Sequence, residues 1–129
     1  MGGVERDIKI RRANALQDLA INARRDRKFG EAAFKMLDAA VTLDQLGLLR
    51  DARRLRLSAA FLEYREGKKN DTEGFPLLGA IWYRSSGLLL LSMGHREGRR
   101  ILEKVRRIYE SSGTSVARAN LEAMRRDGI

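Results

Sequence analysis

The side chains able to do chemistry in this chain are mostly guanidinium and ammonium groups. Lysine and arginine number 26 against 17 aspartates and glutamates, a formal charge of +9. They stand in short clusters: Arg11-Arg12, Arg24-Arg25-Arg27-Lys28, Arg50-Arg53-Arg54-Arg56, Arg96-Arg99-Arg100 and Lys104-Arg106-Arg107. Fixed cations hold phosphates or carboxylates through charge-assisted hydrogen bonds but do not catalyse by themselves. Two sets are basic-patch candidates: Arg50, Arg53 and Arg54, then Arg96, Arg99, Arg100, Lys104 and Arg107. The excess is spread evenly, with 14 basic and 9 acidic residues in 1–65 and 12 and 8 in 66–129. There is no basic tail of the kind that marks a nucleic-acid-binding arm. A docking surface for an acidic protein partner is the expectation, with nucleic acid as the alternative.

Catalytic constellations are missing. No glycine-rich phosphate loop ends in Lys-Ser or Lys-Thr, no His-Glu-x-x-His run occurs, and no calcium-loop spacing of acids is present. The lone histidine, His95, follows Gly94 at a helix boundary, where a surface or capping role is expected. Glu97, Glu103 and Glu110 are interleaved with basic residues and read as solvent-face partners, Glu103 with Arg107 four positions on. Glu63, near Arg65, reads the same way. Neither an enzyme activity nor a cofactor or metal site is expected.

Absence of cysteine removes disulfides and thiolate zinc sites and fits a reducing cytoplasm. The opening residues, Met1-Gly2-Gly3-Val4-Glu5-Arg6, are too polar for a secretion signal. The richest apolar run, Leu88 to Leu91 with Met93, falls short of the roughly 20 residues of a membrane span. A cytoplasmic protein without a membrane partner is expected.

Positioning falls to helices, because nothing alternates as a β-strand does. A first helix over about 6–25 carries Ile10, Ala13, Leu16, Leu19, Ala20 and Ala23 on one stripe. A second, from Phe29 to about Leu46, carries Ala33, Met36, Leu37, Ala40 and Leu43, and Gly47 terminates it. A third, from about Leu49 to Arg65, turns Ala52, Leu55, Ala59, Leu62 and Phe61 inward, with Arg56 at the apolar boundary. Residues 67–74 contain no hydrophobe and read as the one substantial loop, where a single domain over 1–129 could subdivide.

A fourth helix starts at Phe75-Pro76, where proline suits the first turn. Leu77, Leu78, Ile81, Trp82, Leu88, Leu89, Leu90, Leu91 and Met93 cover almost every face of it. Residues 77–93 are therefore either buried from several sides or part of a homo-oligomer contact. Gly79 and Gly87 inside this helix imply a closely approaching backbone. The fifth helix, from about His95 to Ser111, carries Ile101, Leu102, Val105, Ile108 and Tyr109 opposite its basic residues. A short sixth helix, capped by Ser115, carries Ala119, Leu121 and Met124.

Within residues 13–46 the order of large and small positions resembles a tetratricopeptide repeat, through Leu16, Leu19, Ala20, Ala23, Phe29, Ala32, Met36 and Ala39. A second match runs through Met36, Ala39, Ala40, Leu43, Gly47, Ala52 and Ala59, and a third through Tyr83, Gly87, Leu90, Gly94, Gly98, Leu102 and Val105. Small residues let the helices of a hairpin touch, and large ones fill the grooves between hairpins. The resemblance implies an all-α array of about six antiparallel helices stacked as hairpins, and a related helical array or bundle satisfies the same spacing. Members of that family bind peptides or protein segments along their first helices. Here that places candidate groove residues at Asn14, Gln17, Asp18, Ile21 and Asn22. Early Trp and Tyr positions and the closing proline of the repeat are missing. The Lys/Asn clamp for a terminal carboxylate is replaced by Gln17 and Ile21. The resulting expectation is an interaction scaffold or adaptor with a basic surface.

Overall fold

The structure, a computed structural model, describes residues 2–129. Among them the chain forms six α-helices and no strand: α1 (Gly3–Arg25), α2 (Phe29–Gln45), α3 (Leu49–Thr72), α4 (Pro76–Ser92), α5 (Glu97–Ser112) and α6 (Ser115–Arg126). The all-α expectation holds. The chain divides into two compact units, Met1–Leu62 and Glu63–Ile129, and the division falls inside α3.

The first four helices end in the same way. A residue with positive φ follows the helix: Arg27 (60°), Gly47 (77°), Gly74 (93°) and Gly94 (70°). The next amide then bonds back to a carbonyl of the last turn: Lys28 to Ala23 (2.8 Å), Leu48 to Leu43, Phe75 to Asn70 and His95 to Leu90 (2.9 Å each). This closure satisfies carbonyls that the helix leaves open and reverses the chain within a few residues. Arg27 is the one non-glycine residue in this conformation among those described.

In the first unit α1 packs on α2. Its core is alanine-rich: Ala13, Ala39, Ala40, Ala52, Leu43, Leu46 and Leu55, with Ile10, Leu16, Met36 and Leu48 against them. Ala20 and Ala32, twelve positions apart across the α1–α2 turn, are fully buried. Leu19 departs from the expected inward stripe and is 50% exposed, and Phe61 also faces outward. Arg56 is half-buried. Its guanidinium grips Asp44 in a two-point pair and holds that carboxyl below its ordinary pKa.

In the second unit the crossings are tighter. A Cβ added at Gly79 would lie 2.8 Å from the carbonyl oxygen of Gly67, where α3 meets α4. One added at Gly98 would lie 2.6 Å from the Leu91 nitrogen and 2.9 Å from the Gly87 oxygen, where α4 meets α5. The close approach expected at Gly79 and Gly87 is thus present, with a second glycine opposite each. α6 packs on α5. Its cap is Thr114 rather than Ser115: the Thr114 hydroxyl accepts from the Ala117 amide at 3.1 Å. Ala119 is exposed.

Two expectations are corrected here. Residues 67–74 are not a loop, because α3 continues to Thr72 and only Glu73-Gly74-Phe75 turn. The helix persists because Gly67 must meet Gly79 and the Tyr83 ring. Residues 77–93 are not buried from several sides but along one face. The buried face of α4 is Gly79, Ala80, Tyr83, Ser86, Gly87 and Leu90, mostly small residues. Backbones that cross this closely leave no room for leucines between them, so Leu78, Ile81 and Leu88 stand outward.

Candidate functional site

On α1, Asn14, Asp18, Ile21 and Asn22 are exposed on one side of the helix. Gln17 is half-buried and its amide donates to the Ala13 carbonyl of its own helix at 3.3 Å. A second exposed row, Val4, Ile8 and Leu19, runs along the same helix and is apolar. The five groove candidates therefore share a surface, but one of them is turned to its own backbone.

The basic-patch candidates fall in two units. In the first, Arg50, Arg53 and Arg54 are exposed on α3, and Arg54 is paired with Asp51 at 2.9 Å. In the second, Arg96, Arg99, Arg100 and Arg107 are exposed while Lys104 is half-buried. Arg100 pairs with Glu97 at 3.4 Å. Glu103 pairs with Arg106 at 2.5 Å, three positions on, and not with Arg107. Arg96, Arg99 and Arg107 form no ion pair among the described residues. His95 lies one residue before Arg96, the N-cap of α5, and its Nδ1 accepts from the Glu97 amide at 3.2 Å.

Lys104 has unusual company. Its ammonium lies 4.6 Å from the Tyr83 ring centroid and 5.4 Å from that of Tyr64, and it donates to the Tyr64 hydroxyl at 3.4 Å. The two rings themselves are 5.0 Å apart, tilted by 46°. Burial works to lower the Lys104 pKa, but the Tyr64 hydrogen bond and the two tyrosines raise it on balance, so the group stays charged. Tyr83 is wholly buried, and burial raises its pKa while the neighbouring Lys104 ammonium works to lower it. Lys104 and Arg107 line an open groove of about 330 Å³ together with Pro76, Ile108, Ser111 and Ser112.

Beside this, α4 presents an outward face without an acid. Leu78 (46% exposed), Ile81 (59%) and Leu88 (37%) follow a spacing of three and seven along one line of the helix, with the exposed Ser85 between them. Phe75, at the helix start, is 58% exposed.

Sequence periodicity finds the α5 cations directly, since they oppose an apolar stripe. It does not find the tyrosine cradle of Lys104, because Tyr64 and Tyr83 come from two other helices and meet only at the α3–α4 crossing. The outward leucines of α4 were visible as an excess of hydrophobes, without a sign of which ones would be uncovered.

Compared with protein-family models, with curated protein sequences and with solved structures, the chain matches none. No helix among the described residues is long and apolar enough to cross a membrane.

Proposed function

We propose that this chain is a protein-interaction scaffold that binds an acidic partner through the outward face of α4 and the cations around it. The observation that carries the reading is the line of Leu78, Ile81 and Leu88 exposed on a helix that otherwise packs normally. Burying a large aliphatic side chain is worth about 1.5–3 kcal/mol, so three in one line are a source of affinity that water does not use. The occupant that fits is a helix with an apolar stripe and acidic flanks. Such a helix covers Leu78, Ile81 and Leu88 and meets a unit carrying 13 basic against 9 acidic residues. The scaffold reading in its tetratricopeptide-like form rests on the same helical-hairpin spacing.

Nucleic-acid binding is a second reading, supported by Arg96, Arg99 and Arg107, which lack carboxylate partners among the described residues. Against it, Arg54, Arg56, Arg100 and Arg106 are tied to acids of their own surface. Affinity capture on the immobilised chain separates the readings. An apolar contact survives a wash of about 0.5 M salt, whereas phosphate contacts lose orders of magnitude in affinity by about 0.2 M. Retention of an acidic protein through that wash is the expected result. Recovery of nucleic acid alone, eluting at moderate salt, overturns the proposal, and sedimentation equilibrium reports whether a second copy takes the face instead.

A further inference from the structure

Lys104 is a half-buried ammonium whose close neighbours are neutral rings and a phenol. Cation–π contacts offset part of the lost hydration, but they come from the side on which Tyr64 and Tyr83 lie. No carboxylate among the described residues pairs with it. Glu103, the preceding residue, is taken by Arg106. One helical turn on, Arg107 is exposed and also without a carboxylate. A charge taken partly out of water is ordinarily matched by an opposite one; Lys104 has only the tyrosines on one side of it, while Arg107 keeps its charge in solvent beside it.

Both cations line the groove of about 330 Å³, whose remaining walls are two apolar side chains, Pro76 and Ile108, and two hydroxyls, Ser111 and Ser112. The chemistry of this lining is specific. An anion alone would satisfy Lys104 and Arg107 and leave the apolar walls wet. A hydrocarbon alone would cover Pro76 and Ile108 and strand two charges beside it.

We infer that this groove is a recognition pocket for an acidic side chain of a protein partner, with an apolar residue next to it in the partner's sequence. The carboxylate bridges Lys104 and Arg107, and the neighbouring apolar side chain lies on Pro76 and Ile108. The Ser111 hydroxyl supplies a further donor, while that of Ser112 is shared with the Thr114 hydroxyl at 3.1 Å. Because Pro76 is the first residue of α4, the pocket adjoins the start of the proposed contact helix. The inference rests on the reading of the chain as a protein-binding scaffold and specifies the residues its partner must bring.

The test is an amide NMR titration of the full chain with N-acetyl-glutamyl-phenylalaninamide, its glutaminyl counterpart, and inorganic phosphate. Expected are saturable shifts confined to residues around 104–112 with the glutamyl probe, with a Kd on the order of 1 mM, and binding about tenfold weaker for the glutaminyl probe. Arg107→Gln, which removes an exposed charge and leaves the tyrosine cradle untouched, weakens the glutamyl probe to a similar degree. Equal binding of both dipeptides, shifts elsewhere on the molecule, or an unchanged affinity in Arg107→Gln overturns the inference. Phosphate binding as tight as the glutamyl probe overturns it in favour of a phosphate-bearing ligand. A flat titration alongside intact binding of captured protein at α4 defeats the pocket alone. A positive titration with no protein captured at α4 defeats the scaffold reading alone.

Discussion

Glu63 shows how a single residue can mislead when read by type. Its position near Arg65 reads as a solvent-face carboxylate, yet it is 2% exposed, and its Oε1 has no hydrogen-bond partner. Burial raises its pKa above the ordinary 4.5, and a Ser85 hydrogen bond offsets part of that rise. Between the unfolded and the folded pKa the native state holds a proton that the unfolded chain has released. The contribution of Glu63 to stability is therefore fully present below about pH 4.5 and is lost as pH rises through the folded value. Thermal melts should place Glu63→Gln above the wild type at pH 7–8, with the gap closing toward pH 4. A gap that stays constant across that range contradicts a titrating Glu63. Nothing in the sequence around Phe61-Leu62-Glu63-Tyr64 shows this burial, because the helix phase that covers Leu62 and Glu63 is set by neighbours distant in the chain.

At the scale of elements, two alanine substitutions separate two uses of glycine. At Gly47 a Cβ meets nothing within 4 Å, and only the φ of 77° resists it. Gly47→Ala should cost about 1 kcal/mol, the left-handed penalty less the gain from a stiffer unfolded chain. At Gly98 the obstacle is backbone of α4, which cannot swing aside. Gly98→Ala should cost about 1–3 kcal/mol despite a helix-propensity gain near 1 kcal/mol, measured by urea denaturation. A Gly98→Ala variant as stable as the wild type would deny the tight α4–α5 crossing.

The same crossings explain which helices were legible. Gly47 as a stop, Pro76 as a start and the α5 stripe of Ile101, Leu102, Val105 and Tyr109 follow from local chemistry alone. The continuation of α3 through Lys68 and Asn70 does not, since its cause is Gly67 lying against Gly79 and Tyr83. The outward turn of Leu78, Ile81 and Leu88 has the same origin. Hydrophobicity predicts burial, but a glycine-lined crossing buries the small side chains and displaces the large ones.

For the molecule as a whole, charge and apolar exposure make different claims. The first unit carries 13 basic and 8 acidic residues and the second 13 and 9, so neither is a dedicated cationic module. Binding to duplex DNA or RNA should accordingly be weak and collapse between about 50 and 200 mM salt. A complex that persists at the upper end and disappears in Arg96→Gln, Arg99→Gln, Arg107→Gln would favour the nucleic-acid reading.

The contact face of α4 is tested most directly by the affinity of one captured partner for the wild type and for Ile81→Gln, Leu88→Gln, measured at equilibrium in about 0.15 M salt. Both side chains are exposed, so the double variant should fold unchanged by circular dichroism. The account predicts at least a tenfold loss, equivalent to about 1.4 kcal/mol, while Arg50→Gln, Arg54→Gln on α3 binds within about twofold of the wild type. Equal affinities of the wild type and the α4 variant would contradict it.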